Sequence, residues 1–240
     1  MTMTILQSRQ FEEPSPCPYL ADRQRRYEFF LAVDVSAREV AGLLAAGWRK
    51  FGIYYFRPAC PDCRQCIPLR VPVTRFRPSR SQRRVLKRCR DLQAGFAPLH
   101  PDRRLFEIYR SHAAERFAID CDWEEFLLHF HLPSCPGLQT EIRRDGALIA
   151  GGFLDVGSDC LSSIYFCFDP GYGRYNLGTF GVLQEIDHAR RLGRDWYYLG
   201  YYVPGCGRMR YKDHFRPREY FHWDSRQWLA STDSPGFAPG

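Results

Sequence analysis

The sequence predicts an α/β fold built on a mixed sheet with helices packed against it. The first observation is the dipeptide Asp145-Gly146 between two alternating apolar patterns, which is typical of a β-hairpin turn. The second is the order of the elements that follow the hairpin, namely strand, helix and strand, which indicates a mixed sheet covered by helices. These elements are predicted at 138–144, 147–156, 161–168, 177–192 (the helix) and 196–203.

Capping and spacing patterns predict the elements upstream of the hairpin. Ser36 and Glu39 match a capping box, and apolar residues continue at helical spacing to Trp48. Prolines within the strand pattern at 67–73 indicate an edge strand, because proline donates no ladder hydrogen bond. The other predicted elements are helices at 36–50, 79–93, 101–117 and 122–132 and an aromatic strand at 51–57.

Four segments follow from these patterns. The chain has 240 residues, enough to bury a core in one large domain or two modest ones. We predict a flexible lead-in at 1–15, a cysteine-bearing and basic module at 16–95, a second domain at 96–228 and a flexible tail at 229–240. The tail is predicted because Pro, Gly and Ser are frequent there.

Composition favours a protein of the cytoplasm. Hydrophobic residues make up 45% of the chain and charged residues 25%, ordinary values for a soluble globular protein. The N-terminus lacks a basic segment followed by an apolar run, and no stretch reaches the roughly 18 apolar residues of a membrane helix. We therefore expect a cytoplasmic location and no membrane partner. The net charge of +7 is compatible with a polyanionic partner without requiring one.

Four of the ten cysteines form a candidate metal site. Cys60, Cys63 and Cys66 follow one another at spacings of three, and Cys17 lies between two prolines. In a reducing compartment such clustering favours metal or redox chemistry over disulfides. Zinc and iron–sulfur sites usually take four ligands, and the spacing alone does not separate them. A redox thiol switch and a set of plain reduced thiols are the alternatives.

A strongly basic segment extends from residue 75 to residue 90. Eight of its sixteen residues are Arg or Lys, and none is acidic. On a helix, pairs such as Arg80/Arg84 and Arg84/Arg88 repel each other, and nucleic-acid phosphates would satisfy them. A tRNA acceptor arm is a suitable partner, because an A-form helix is read through its backbone and shape. An ordinary exposed helix is the alternative. The candidate contacts are Arg80, Arg83, Arg84 and Arg88.

Ordered motifs along most of the chain resemble those of the arginyl-tRNA–protein transferase family. The N-terminal motifs are Pro16-Cys17-Pro18-Tyr19-Leu20, Tyr55-x-Arg57-Pro58-x-Cys60-x-x-Cys63-x-x-Cys66-Ile67-Pro68 and Phe76-x-Pro78-Ser79. The C-terminal motifs are Ser163-x-Tyr165-x-x-x-Asp169-Pro170, Leu177-Gly178, Glu185-Ile186, Tyr197-Tyr198-x-Gly200-Tyr201-Tyr202 and Cys206-x-x-Met209-x-Tyr211-Lys212 with Arg216-Pro217. The resemblance covers about residues 14–225. Gly207-Arg208 departs from the two basic residues more frequent in bacterial relatives, which puts one expected phosphate contact in doubt but not the resemblance to the family.

The length of the chain is similar to that of the family's bacterial branch. The resemblance implies transfer of Leu from Leu-tRNA to proteins with N-terminal Asp or Glu, which marks them for degradation by the N-end rule. Arg as the donated residue is the alternative. The resemblance also implies an acetyltransferase-like (GNAT-like) C-terminal half. In such folds donor and acceptor meet where two central parallel strands, here 161–168 and 196–203, splay apart.

The implied reaction is aminolysis of an activated tRNA ester, which requires no cofactor, and we expect no DNA partner. The reaction does need positioned polar groups. Asp169 and Glu185 are the candidate proton acceptors, although a turn and a helix-surface charge are the alternatives. Tyr165 and Tyr198 are candidate donors that also fit a core. Lys212 is the candidate cation for the acidic N-terminal side chain or for a phosphate.

The remaining candidates concern substrate binding. Gly178, at the start of the predicted helix, is expected to let backbone N–H groups approach the tRNA terminus. Tyr201, Tyr211 and Arg216 complete the predicted set, and Arg83 and Arg84 compete with Lys212 for the acidic side chain.

Two other functions fit parts of the sequence. One is a metal-containing RNA-binding module without catalysis, which would not require the C-terminal half. The other is an acetyl-CoA-dependent N-acetyltransferase, whose pyrophosphate loop the stretch 171–178 resembles only loosely.

Overall fold

The computed structural model describes residues 2–117 and 120–231, so most of the predicted tail lies outside the described residues. The helices are α1 (Ala37–Ala45), α2 (Arg80–Arg88), α3 (Arg103–Phe117), α4 (Trp123–Phe130) and α5 (Leu177–Arg191). The strands are β1 (Thr4–Phe11), β2 (Ser15–Pro16), β3 (Gln24–Arg25), β4 (Tyr27–Val33), β5 (Arg49–Phe51), β6 (Tyr54–Pro58), β7 (Ile67–Pro72), β8 (Gln93–Pro98), β9 (Gly137–Arg144), β10 (Ala147–Val156), β11 (Cys160–Phe168), β12 (Trp196–Tyr202), β13 (Arg218–His222) and β14 (Gln227–Ser231). Two 3₁₀ helices span Pro170–Tyr175 and Gly207–His214.

The mixed α/β class is confirmed by an eight-stranded sheet in the order β14-β13-β7-β12-β11-β10-β9-β8. Strands β11 and β12 pair in parallel, and the other described neighbours in this sheet pair antiparallel. Strands β9 and β10 form the predicted hairpin, whose turn places Asp145 and Gly146 at positive φ. The predicted order of hairpin, strand, helix and strand is therefore confirmed.

A second sheet of four strands, in the order β1-β4-β6-β5, brings the N-terminal part of the chain onto the large sheet. Its buried Tyr55 packs in one cluster with Cys160 of β11 and Tyr198 of β12. Side chains alternate between the faces of a strand, and the neighbouring Tyr197 packs on the opposite face with Ile186 of α5. The small sheet and helix α5 thus lie on opposite faces of the β11–β12 pair.

Strand β7 is not the edge strand that its prolines predicted. It lies between β13 and β12, so that prediction was wrong. The ladder with β13 pairs only Arg70 with Glu219 and Leu69 with Tyr220. Pro68 and Pro72 flank this short ladder and therefore need not donate to β13.

The N-terminal segment also differs from expectation. Instead of a flexible lead-in over 1–15, residues Thr4–Phe11 form β1, which pairs antiparallel with β4. The segment boundary predicted at residue 95 crosses the eight-stranded sheet, because β7 and β8 belong to it together with the later strands. Among the described residues, no helix is long and apolar enough to span a membrane.

Candidate active site

Strands β11 and β12 separate after a short stretch of parallel pairing. Their ladder joins Cys160–Ser162 to Trp196–Tyr198 and ends there. The register of β11 against β10 shifts next to Ser163, and the register of β12 against β7 shifts next to Gly200. Gly200 has φ +83, a conformation that glycine adopts without strain. The splayed strand pair that the sequence led us to expect is therefore present.

Arg49 of strand β5 reaches into the point where the two strands separate. Its Nη1 donates a hydrogen bond of 2.6 Å to Ser162 Oγ, and its Nη2 donates to the carbonyl oxygen of Ser163. Sequence reasoning missed Arg49, because it lies at the end of the segment predicted as helix 36–50. Helix α1 instead ends at Ala45, and the chain then turns through Gly47 at φ +83 into β5.

Lys212 lies beside Arg49 at the same place. Its Nζ donates to the carbonyl oxygen of Tyr201 at 2.9 Å. A β-carbon built on Gly200 would lie 3.3 Å from Arg49 Nη2 and 3.4 Å from Lys212 Nζ, so both cationic heads border the space above Gly200. Burial, and next the charge of Arg49, lower the pKa of Lys212 to about 7.

Glu185 lies on the other face of the splayed strands, fully buried beneath them. It accepts a hydrogen bond of 3.0 Å from Thr140 Oγ1 and another from the Tyr197 hydroxyl. Burial raises its pKa to about 7, against the opposing effect of hydrogen bonds from Tyr197, Thr140 and Ser163. Glu185 is therefore a buried carboxyl and not a helix-surface charge, and its burial favours the protonated form.

Ser163 connects the two faces of the sheet at the point where β11 and β12 separate. Its carbonyl oxygen accepts from Arg49, while its side chain interacts with Glu185. Tyr211 is 40% exposed, and it lies near enough to Glu185 for the two groups to interact electrostatically. The structure thus brings together Glu185, Tyr211 and Lys212 of the predicted site.

Two of the predicted residues, Asp169 and Tyr165, have partners elsewhere in the fold. Asp169 accepts from the backbone N–H of Gly171 at 3.0 Å and from Arg104 Nη2 at 2.6 Å, as a turn residue does. It lies six residues beyond Ser163 along β11, roughly 20 Å at the rise of an extended strand. Tyr165 lies within hydrogen-bond distance of His112, with 3.2 Å between its hydroxyl and His112 Nδ1.

Tyr198 and Tyr201 are buried on the side of the small sheet. The Tyr198 hydroxyl accepts from Arg70 Nη1 at 3.2 Å, and the Tyr201 hydroxyl donates to the carbonyl oxygen of Gly47 at 3.1 Å. Both rings therefore pack between the two sheets. Sequence patterns left a core role open for both, and these contacts are those of a core.

The predicted basic helix is present as α2. Ser79 and Gln82 form its capping box, and buried Gln82 donates to the carbonyl oxygen of His214 at 3.2 Å. Val85 and Gln82 face the protein, so every Arg and Lys of the helix faces solvent. Within the described part of the chain, none of these cations forms an ion pair with a carboxylate. The exposed cations are Arg80, Arg83, Arg84, Lys87 and Arg88.

Gly178 lies in the first turn of α5, as expected. The N-cap residue Asn176 has φ 55, and its side chain makes no capping hydrogen bond. A β-carbon at Gly178 would approach only Phe168, at 3.9 Å, so the fold itself leaves space over this turn. Arg216 is exposed and lies 3.7 Å from Asp213 in an ion pair.

The thiols of the predicted metal site converge on Cys66. Burial raises the pKa of the Cys66 thiol, and the thiols of Cys60, Cys17, Cys63 and Cys206 act in the same direction. Thiols are suitable donors for zinc or an iron–sulfur cluster. In residues 2–117 and 120–231, however, no group of three or more Cys, His, Asp or Glu is arranged to hold a metal ion. The metal site stays a prediction.

Comparison with known proteins gives relatives over most of the chain. The aspartate/glutamate leucyltransferase of Chromobacterium violaceum is 35% identical over 217 residues, covering 87% of this chain and 88% of that protein. The aspartate/glutamate leucyltransferase of a Methylobacterium species is 37% identical, covering 86% of this chain and 90% of that protein. Among solved structures, the C-terminal domain of a putative lysylphosphatidylglycerol synthetase from Agrobacterium fabrum is 18% identical with a TM-score of 0.46, covering 68% of this chain and 51% of that one.

Two family profiles match nearly consecutive parts of the chain. The profile described as the N terminus of arginine-tRNA-protein transferase matches residues 15–84, and that of the C terminus matches residues 102–222. The first match contains Arg49 and the four clustered cysteines, and the second contains Glu185 and Lys212. The resemblance noted in the motifs is confirmed: the chain belongs to the arginine-tRNA-protein transferase family.

Proposed function

We propose that this chain transfers leucine from Leu-tRNA to the α-amine of proteins that begin with Asp or Glu. The observation that carries the proposal is the similarity, over 86–87% of the chain, to relatives named aspartate/glutamate leucyltransferase. The splayed strands β11 and β12 supply a place where a tRNA end and a protein N-terminus can meet. Leucine is favoured over arginine as the donated residue because those relatives are named for leucine.

The chemistry is aminolysis of an ester. The α-amine nitrogen attacks the aminoacyl carbonyl carbon, the new C–N bond forms, and the bond to the ribose oxygen of the terminal adenosine breaks. The amine loses one proton and the departing ribose oxygen gains one, so no external oxidant, reductant or ATP is needed. An α-amine has a pKa of about 8, so an appreciable fraction is neutral at pH 7 and positioning supplies much of the rate.

Glu185 is suited to hold the proton during this exchange. Its pKa of about 7 lies close to that of the amine, and the partly exposed Ser163 lies between its carboxyl and the splay. Because Glu185 is buried, it acts through Ser163 and does not touch the substrate. We expect Glu185→Gln to lower kcat about 100-fold and to leave KM for both substrates nearly unchanged. An unchanged kcat would remove Glu185 from the proposal.

Helix α2 is suited to hold the tRNA backbone. Its exposed Arg and Lys side chains lack acidic partners among the described residues, and phosphates would supply those partners. The open first turn of α5 at Gly178 is suited to the acceptor end of the tRNA, because N–H groups at a helix start attract phosphate. Helix α2 and the first turn of α5 would together hold the tRNA so that its ester reaches the point where β11 and β12 separate.

The test combines donors and acceptors in one assay. The purified protein is mixed with separately labelled Leu-tRNA, Arg-tRNA and Ala-tRNA, and with peptides beginning Asp, Glu, Arg or Ala. We expect label from Leu-tRNA only, on the Asp and Glu peptides only. Label from Arg-tRNA would favour the alternative donor, and binding of tRNA without transfer would contradict the proposal.

A further inference from the structure

We propose that Arg49 and Lys212, here called the cation pair, form the receptor for the side-chain carboxylate of the acceptor's N-terminal residue. The inference rests on the proposed function and adds a residue to it. It assigns substrate recognition to Arg49, a side chain of the N-terminal small sheet.

The contacts of the cation pair leave its charges without a carboxylate partner among the described residues. Arg49 donates to Ser162 Oγ and the Ser163 carbonyl, and Lys212 donates to the Tyr201 carbonyl, so the contacts of both heads are with neutral oxygens. Asp155 is the carboxylate whose charge acts on Arg49, but it already pairs with Lys50 at 3.0 Å. Among the described residues, neither member of the cation pair forms an ion pair of its own. An incoming anion stabilises the charged forms of two such adjacent, partly buried basic groups, including that of Lys212, whose pKa is lowered in its absence.

Both members of the cation pair are partly exposed at the point where β11 and β12 separate. Their heads lie against Gly200, where a β-carbon would come within 3.3 Å of Arg49 Nη2 and 3.4 Å of Lys212 Nζ, so a larger residue there would displace them. The φ of +83 at Gly200 also disfavours other residues. Because both side chains keep partial exposure, a small anionic group can approach them there.

The geometry of the acceptor also fits the cation pair. The carboxylate of an N-terminal Asp or Glu is only two or three carbon atoms from the α-amine that attacks. A cation that binds this carboxylate must therefore lie beside the reacting amine. The cation pair meets this condition, because Ser163 joins it to Glu185 across the sheet. Two neighbouring cations also explain how one site takes both side chains, which differ by a single methylene.

A tRNA phosphate is the competing occupant, and the structure favours it less. The exposed cations of α2 already form a surface to which the phosphates of the tRNA backbone can bind. The cation pair instead lies between two sheets, with Arg49 held in place by Ser162. A fixed guanidinium and an ammonium at a partly buried site fit one small carboxylate better than a continuous backbone.

The experiment measures discrimination between a carboxylate and its amide. Initial transfer rates are measured with peptides that differ only in Asp or Asn at the N-terminus, first varying the peptide at saturating Leu-tRNA and then varying Leu-tRNA at a fixed peptide concentration. The proteins are wild type, Lys212→Met, Lys212→Gln, Arg49→Lys and the control Arg38→Met, since Arg38 is exposed on α1 away from the splay. Equilibrium binding of both peptides is measured in parallel without tRNA, and thermal unfolding checks that each variant is folded.

We expect Lys212→Met and Lys212→Gln to raise KM for the Asp peptide about tenfold or more and to leave transfer to the Asn peptide within about twofold. Arg49→Lys keeps the charge but loses the two-pronged donor, so it should weaken Asp binding less. Arg38→Met should behave as wild type. An unchanged preference for Asp over Asn in folded Lys212 variants would overturn the inference. A rise in KM for Leu-tRNA, equal with both peptides, would also overturn it by assigning the pair to a phosphate.

The two proposals fail in different ways. If wild type transfers no leucine to either peptide, the proposed function fails. The peptide-binding measurement then still tests whether the cation pair binds the side-chain carboxylate. Preferential binding of the Asp peptide that disappears in the Lys212 variants would support the receptor. Equal binding of the Asp and Asn peptides by wild type would overturn it.

Discussion

Arg49 Nη1 donates to Ser162 Oγ across 2.6 Å, which ties strand β5 to the last residue of β11 that pairs with β12. A side chain of the small sheet is thus part of the place where the two central strands separate. Because Arg49 and Lys212 border the same space, the N-terminal part of the chain contributes directly to the candidate active site.

Glu185→Gln should change how stability depends on pH. Burial raises the pKa of Glu185 from its ordinary 4.5 to about 7, so the folded protein holds this proton more tightly than the unfolded chain. The free energy of unfolding should therefore fall as pH rises from about 4.5 to about 7, by on the order of 3 kcal/mol from this group. Urea unfolding at pH 5 and pH 8 should show this loss in wild type and a smaller one in Glu185→Gln. Equal losses would contradict the assignment.

The double variant Arg84→Ala with Arg88→Ala should weaken tRNA binding and its salt dependence. Both side chains are exposed on α2. If each contacts one phosphate, the slope of log K against log salt should fall by about 0.8 for each contact removed. Fluorescence titration with tRNA at several salt concentrations measures this, with Arg38→Ala as the control. A slope equal to that of wild type would exclude α2 as the tRNA site.

Gly181 and Gly178 should respond differently to alanine. A methyl group on Gly181 would overlap the ring of Phe166, whereas one on Gly178 would meet only Phe168 at 3.9 Å. Gly181→Ala should therefore lower the free energy of unfolding by about 1–3 kcal/mol, as overpacking does. Gly178→Ala should unfold at the same urea concentration as wild type or higher, yet bind tRNA less well. The reverse order of stabilities would contradict the described packing of α5.

Cys63→Ala tests the predicted metal site. If Cys17, Cys60, Cys63 and Cys66 hold zinc or an iron–sulfur cluster, the purified wild type should contain zinc, or iron and sulfide, and the variant should contain less. Cys89→Ala is the matched control, because the buried Cys89 lies between α2 and α5 and donates to the carbonyl oxygen of Tyr175 at 3.3 Å. Equal metal and sulfide content in wild type and Cys63→Ala would contradict the prediction that the four thiols hold a metal.

Much of the fold follows from local patterns. The capping box predicted at Ser36 and Glu39 is present, because it is decided by residues three apart. The hairpin at Asp145-Gly146 is present for the same reason. Strand β7 was misplaced at an edge, because the restriction of its ladder with β13 to Leu69 and Arg70 depends on residues far along the chain.

The candidate site could be predicted only in part. Glu185 and Lys212 lie within motifs of the family, so the resemblance marked them. Arg49 was missed, because its role depends on a contact with Ser162, which is 113 residues away in sequence. For Asp169 the sequence left a turn role open, and the structure shows contacts of that kind, because Arg104 and the N–H of Gly171 engage its carboxylate.

The most direct measurement of the central claim is a competition between donors. Wild-type protein receives equal amounts of Leu-tRNA and Arg-tRNA together with a peptide beginning Asp, and mass spectrometry identifies the product. We expect the peptide to gain a single leucine, and the same reaction with Glu185→Gln to slow without a change of product. A peptide that gains arginine, or gains nothing while the protein is folded, would contradict the account.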